Sequence, residues 1–384
     1  MQIIDFRGLA AQSVRHLLPG LILAGHCALG FGANEPIVLG QSIAEGRGSY
    51  RATQGLTGGL RAYVGHINAN GGIRGRQIKV VTLVGDNNAA THAENVRRLV
   101  REHGAVAMIG CAGEVVCEAI AATAIEMKVP LIGALSGLKA MGHDRSPYLF
   151  PLRPNYEREA EALASQIHVL GITRAAVLSD SGPDSERLVA LERALQAKGI
   201  SQTMYPVSMF DPASVTRAVN SVAKGNFQTV VMDVLPDLVD VMVEQGIQAR
   251  ADEWPSTITS LASSSFQGMS NVFPKKVIGF TQLVPNPESD NSPLTFEFQR
   301  HVEQYASPKA ITFEGMSNYM AARLTVEALR RSSPLFTGDG IAAALSAASS
   351  IELGGHAISF AKDRTSGSDR ITIGLRSRHG YYLK

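Results

Sequence analysis

Apolar residues along the chain switch repeatedly between two spacings. Leu60, Val64 and Ile67 recur at helical spacing, Gly71-Gly72 interrupts them, and Ile78, Val80, Val81 and Leu83 follow as a dense apolar run. This predicts a helix over about 54–68, a glycine turn and a core strand. The turn requires backbone with positive φ, which glycine adopts without steric cost. Around that unit the pattern predicts strands at Ile37–Leu39, Val106–Ile109 and Leu131–Ile132, with helices over about 91–103 and 114–127. Pro130, just before its strand, sits where a missing amide does no harm.

After Pro147-Tyr148-Leu149-Phe150-Pro151 the alternation begins again. Strands are predicted at Ala175–Leu178, Thr203–Val207, Val230–Met232, Thr257–Thr259 and Val277–Thr281, with helices over 184–198, 213–223 and 236–246. Pro285, Pro287 and Pro293 then punctuate the chain, ahead of helices over 313–331 and 338–347 and short strands at about 356–360 and 371–375. Strands alternating with helices predict parallel sheets. Two such runs predict an α/β protein of two Rossmann-like lobes, with the late helices returning to the first. The expected lobes are 34–153 plus 285–354 and 154–284 plus 355–384, joined by three crossovers near 153–156, 282–287 and 352–356. A multi-strand hinge of this kind permits closure around a ligand.

Length and composition agree with two packed domains: 384 residues, 45% apolar and 18% charged, is too apolar for a disordered chain. A net charge of +2 gives no reason to expect nucleic acid. Arg97, Arg98 and Arg101 are read as a solvated helix face. Arg7 and Arg15 precede an apolar, small-residue run from Leu17 to Ala33, the order of an export signal, so residues 1–33 are expected to be a signal peptide cleaved near Ala33. Phe31 is bulky for that site, and His26 makes Cys27 a poor lipid-attachment site. A buried N-terminal helix is the other reading. Cys111 and Cys117 remain, and their six-residue spacing does not share a helical face, so two free thiols are expected. No histidine pair or further cysteine suggests a metal, and no cofactor motif is present.

Several segments together resemble the leucine/isoleucine/valine-binding family of periplasmic solute receptors of ABC transporters, from about Pro36 to Lys384. They are Ile67–Leu83, Gly110-Cys111-Ala112-Gly113, Val129–Gly133 with Leu135-Ser136-Gly137, Tyr148–Arg153, Thr281–Pro285, and Phe313-Glu314-Gly315 with Tyr319 and Ala321-Ala322-Arg323. The resemblance implies the type I periplasmic binding protein fold, a periplasmic monomer, a small-molecule ligand between the lobes, and docking on an ABC permease of the inner membrane. It also implies ligand loops at strand ends, where helix N-termini attract a carboxylate.

Carried onto this sequence, the ligand loops are Cys111, Ala112, Gly113 and Glu114, and Leu135, Ser136 and Gly137. Glu114 replaces the usual Ser or Thr; it either repels a carboxylate or turns away as an ordinary N-terminal acid. Ser136 is a ligand contact or a helix cap. In the second lobe the usual tyrosine falls at about Asp184 and the usual ammonium-binding acid near Leu261, followed by Ser263, Ser264 and Ser265. Asp184 and Asp233 are candidate substitute acids or turn residues. Tyr50 and Tyr156 are ring covers for the cleft or core residues. The implied solute is an amino acid, an amide or a small organic acid. A ligand-sensing regulator of the same fold is the alternative, and an α/β enzyme the more distant one. Cys111 lacks the surroundings of a nucleophile elbow, and Gly71–Gly75 runs from helix to strand, the reverse of a phosphate-binding loop; no catalytic set is expected.

Overall fold

The computed structural model describes residues 35–45, 50–261, 269, 272–361, 364–377, 379 and 382–383. Its first sheet has the order β2-β1-β3-β4-β5, built from β1 (Ile37–Ala44), β2 (Ile78–Gly85), β3 (Ala107–Cys111), β4 (Leu131–Ala134) and β5 (Leu149–Phe150). All its pairings are parallel. The connecting helices are α1 (Tyr50–Ala69), α2 (Ala89–Arg101) and α3 (Glu114–Glu126). β3 and β4 are buried along their whole length, as helix-covered parallel strands should be.

The second sheet has the order β14-β13-β10-β9-β8-β6-β7. Its strands are β6 (Arg174–Ser179), β7 (Ser201–Pro206), β8 (Thr229–Asp233), β9 (Thr257–Ser260), β10 (Val277–Gln282), β13 (Thr372–Arg376) and β14 (Tyr382–Leu383). Helices α4 (Tyr156–Val169), α5 (Glu186–Ala197), α6 (Pro212–Lys224), α7 (Pro236–Glu244) and the short α8 (Ile247–Arg250) belong to this run. β6 to β10 pair in parallel, whereas β13 and β14 add antiparallel strands at the β10 edge. The sequence pattern predicted parallel pairing throughout. β13 comes in from a loop, not from a crossover helix, and so need not share the direction of β10.

Three late helices follow β10: α9 (Pro293–Tyr305), α10 (Phe313–Arg331) and α11 (Gly338–Ala347). α10 packs along α1 and over β3 and β4, and α9 also packs on α1. β11 (Ile351–Glu352) and β12 (Ala357–Ile358) form a separate antiparallel ribbon. The chain therefore passes from one sheet to the other after β5, after β10 and again before β13.

Two departures from the sequence expectation have local causes. Pro293 reads as punctuation, yet it opens α9 at a first-turn position where no amide is needed, behind Ser292, whose hydroxyl accepts from the Thr295 amide. β1 continues past Leu39 because its polar residues find buried partners: Ser42 Oγ lies 2.7 Å from His92 Nδ1 and accepts from Asn95. Two glycines are required by geometry. Gly72 ends α1 at φ 72°, its amide on the Ile67 carbonyl, and a Cβ there would lie 2.0 Å from the Arg76 oxygen. Gly59 lets α1 and α10 touch backbone to backbone; a Cβ there would lie 2.0 Å from the Gly315 oxygen.

Candidate functional site

The carboxyl ends of strands from both sheets, with the chain crossing between them, line a cleft of about 390 Å³. From the first sheet, β3 ends at Cys111, Ala112 and Gly113 turn the chain (Gly113 has φ 85°), and α3 starts at Glu114. Ala112, Gly113 and Glu114 line the cleft, as does Leu135 beyond β4. Glu114 faces inward, and its Oε1 is buried without a hydrogen-bond partner.

Cys111 and Cys117 are not free thiols. They form a disulfide, with Cα atoms 5.4 Å apart. The expectation failed because it treated the six-residue spacing as helical. Cys111 closes a strand and Cys117 sits on the first turn of α3, its amide on the Gly113 carbonyl, so the reversal between them folds one cysteine onto the other. A closed loop this short is worth about 2 kcal/mol in the chain-entropy picture. Cys111→Ser/Cys117→Ser should lower stability by about that amount in denaturant unfolding, and a reductant should then have no further effect. A reductant that still destabilised the variant would contradict this assignment.

Ser136 is buried, and its hydroxyl accepts from the Leu138 amide, capping a turn. It and Gly137 line a separate cavity of about 280 Å³ beside the first crossover. Arg153, on that crossover, lines both cavities. It donates to the Leu135 carbonyl (3.0 Å) and to the Glu159 carboxylate, and lies 4.8 Å from the Tyr156 ring centre. Tyr156 lines the cleft from the start of α4, where burial pushes its phenol up. Glu159 also accepts from the Thr281 hydroxyl on β10, so one carboxylate joins the first crossover to the strand that leads into the second.

In the second sheet, parallel register places Ser179 of β6 beside Asp233 of β8. Ser179 donates to Asp233 Oδ2 at 2.7 Å, and Arg187 Nε, near the start of α5, meets Asp233 Oδ1 at 2.7 Å. Arg187 also lies 3.4 Å from Asp180 and donates to Ser181 at 2.6 Å. The Leu235 amide donates to Asp180 Oδ2. Asp233 is thus a buried, neutralised carboxylate behind the cleft wall, while Asp180 and Arg187 face the cleft. Asp184 is exposed and outside the cleft lining. Leu261 lines it. Ser263, Ser264 and Ser265 lie outside the described residues, as do the Tyr50 side chain and residues 1–33.

Arg153, Glu159, Asp180, Arg187 and Glu314 are the charged cleft residues that sequence reasoning did not assign. Asp184 lies on the loop after β6, where Asp180, directly after the strand, is the acid that lines the cleft. Arg187 becomes visible only once strand register puts Ser179 beside Asp233.

Burial pushes the Asp180 carboxyl up to about 6, with Arg187 pulling the other way. An acid whose folded value exceeds its unfolded one binds its proton more readily when folded, so its contribution favours folding at low pH and is lost as pH rises. Between about pH 4 and 6 the protein should lose about 2 kcal/mol relative to Asp180→Asn. Parallel denaturation curves at the two pH values measure this, and identical pH slopes would rule it out.

Among the described residues, no group of His, Cys, Asp or Glu is arranged to hold a metal ion, and no helix is long and apolar enough to cross a membrane. Residues 45–373 match the model of a family described as periplasmic binding protein. The chain belongs to that family. The architecture agrees with solved structures of family type. A substrate-binding periplasmic protein from Ralstonia solanacearum is 25% identical, with TM-score 0.79, over 90% of this chain and 99% of that one. The branched-chain amino acid transporter substrate-binding protein LivJ from Streptococcus pneumoniae, solved with isoleucine, is 17% identical, with TM-score 0.73, over 91% and 98%. A solute-binding protein of an ABC transporter from R. palustris, solved with 4-hydroxybenzoate, is 17% identical, with TM-score 0.69, over 89% and 92%. No curated protein sequence matches the chain. This periplasmic binding protein therefore has the two-sheet architecture that the resemblance implied, with antiparallel strands at one edge of the second sheet.

Proposed function

We propose that the protein captures a small polar solute in the cleft by hinge closure and hands it to an ABC permease. The candidates are an amino acid, an amide or a small organic acid. The observation that carries this reading is the cleft itself: it is bordered by strand ends of both sheets and by crossover residues Arg153, Leu283 and Val284. A solute touching both walls and the hinge would favour the closed arrangement by its differential affinity for it. The lobes are taken as 34–153 plus 285–354 and 154–284 plus 355–384, acting as a monomer. Residues 1–33 are taken as an export signal, and the disulfide supports an oxidising compartment. The contacts at the cleft are assigned to Ala112, Gly113, Glu114, Leu135, Tyr156 and Leu261.

Ligand capture is tested by a thermal-shift screen of the purified protein against amino acids, amides, amines and organic acids. A true ligand at about 100 times its dissociation constant adds about 2.7 kcal/mol of stability, and small-angle scattering should show the molecule contracting. No shift with any solute, or a shift accompanied by turnover of the solute, would refute the proposal.

A further inference from the structure

We propose that the solute presents a hydrogen-bond-donating group (an ammonium, an amidinium or a carboxamide) to Glu114, and that the cleft discriminates against carboxylates. This rests on the solute-capture reading and specifies the chemistry of the same site.

Three observations converge on it. First, Glu114 is the first residue of α3 and lines the cleft, and its Oε1 is buried with no hydrogen-bond partner. A buried acceptor left unmatched is costly, and a donor on a bound solute would satisfy it. A carboxylate brought to the same amides would meet a like charge.

Second, the arginines that would otherwise receive an anion are already occupied. Arg187 is held between Asp233 and Asp180, and Arg153 by Glu159 and the Leu135 carbonyl. Four carboxylates, Glu114, Glu159, Asp180 and Glu314, border the cleft against these two guanidinium groups, with Asp233 buried behind. The field in the cleft therefore favours a cationic or donor-bearing guest.

Third, much of the remaining wall is apolar, with Asn87, Ser181, Ser185 and Ser317 as its uncharged polar side chains. Val115 and Leu235 face the cleft from opposite walls while remaining substantially exposed, with Leu283 and Phe313 nearby. The apolar surface fits a hydrocarbon or aromatic body attached to the donor group.

The experiment uses two matched series: benzamidine, benzamide and benzoate, and 3-methylbutylamine, 3-methylbutanamide and 3-methylbutanoate. Binding of each to the purified protein is measured by calorimetry at pH 7.5, alongside the broad solute screen described above. The expected result is that the cation or amide of at least one series binds about tenfold or more tighter than its carboxylate. Glu114→Gln should then remove the preference for the cation, while the ligand-free thermal midpoint stays close to that of the parent.

Carboxylates that bind as well as their donor counterparts would overturn the proposal and leave solute capture standing. So would a screen in which only carboxylic acids stabilise the protein. A donor preference unchanged in Glu114→Gln would remove Glu114 as its source and overturn the assignment. If neither series nor any solute of the screen binds, the capture reading itself fails and this inference falls with it.

Discussion

Arg187→Ala is expected to lower the unfolding free energy by about 3–5 kcal/mol, the usual cost of stranding a buried charge. Asp233 is fully buried, and one of its oxygens faces the Arg187 guanidinium while the other accepts from Ser179. Without the guanidinium, the Ser179 hydroxyl is the remaining partner of these two, and Asp180 loses its counter-ion as well. Asp180 would then resist ionisation more strongly, so the defect should shrink as pH falls toward 5 and deepen above neutrality. Urea unfolding at pH 5 and 7.5 measures this. The double variant Arg187→Met/Asp233→Leu should lose much less than the two single changes together, because no charge is then left alone. A loss under about 1 kcal/mol for Arg187→Ala would mean that water reaches the pair and that it behaves as a surface contact.

Glu159→Ala should be comparably severe, at about 3–5 kcal/mol, with a second and more local consequence. The Glu159 carboxylate is almost entirely buried, and it binds both Arg153 and Thr281. Arg153 sits on the first passage of the chain between the sheets, and Thr281 on the strand that leads into the second. Their common anchor ties that passage to the second sheet. Its removal should raise amide exchange around 281–284 and at 153–156 more than in the centres of the sheets, and solute affinity should fall with it. Glu159→Gln keeps one acceptor and should show a milder form of both effects. Uniformly faster exchange across the whole protein would argue against a hinge role and leave Glu159 as a general stabilising residue.

The fold was legible because its elements announce themselves by spacing. Helices 313–331 and 338–347 were predicted with the bounds observed for α10 and α11, since each carries long apolar faces and starts behind a threonine that accepts from an amide three residues on. α9 was hidden by Pro293, a residue that marks a stop or a start depending on what precedes it. In the candidate site, the loops of the first sheet were legible because a glycine-bearing turn between strand and helix is a local event. The charges at the second sheet were not. The interaction of Asp233 with Ser179 and Arg187 depends on which strands lie side by side, and β6 and β8 are neighbours although β7 comes between them in sequence. Asp184 stood out because the resemblance places a tyrosine there, yet Asp180 is the residue next to the strand end. The cysteine pair was missed for a related reason: spacing rules written for one continuous helix do not hold where a strand turns into one.

The close approach at Gly59 bears on how the molecule can move. At Gly59 no side chain separates the backbones of α1 and α10, only a Cα hydrogen against the Gly315 oxygen, so the contact there has little room to give. Beside it Tyr63 of α1 packs edge-on against Tyr319 of α10, which ties the two helices further. The closure proposed above is therefore expected to leave this layer intact and to flex the three chain passages instead. A binding event felt in the cleft would be transmitted as rotation of solid bodies, in the way a door transmits force to its pins and not to its panel.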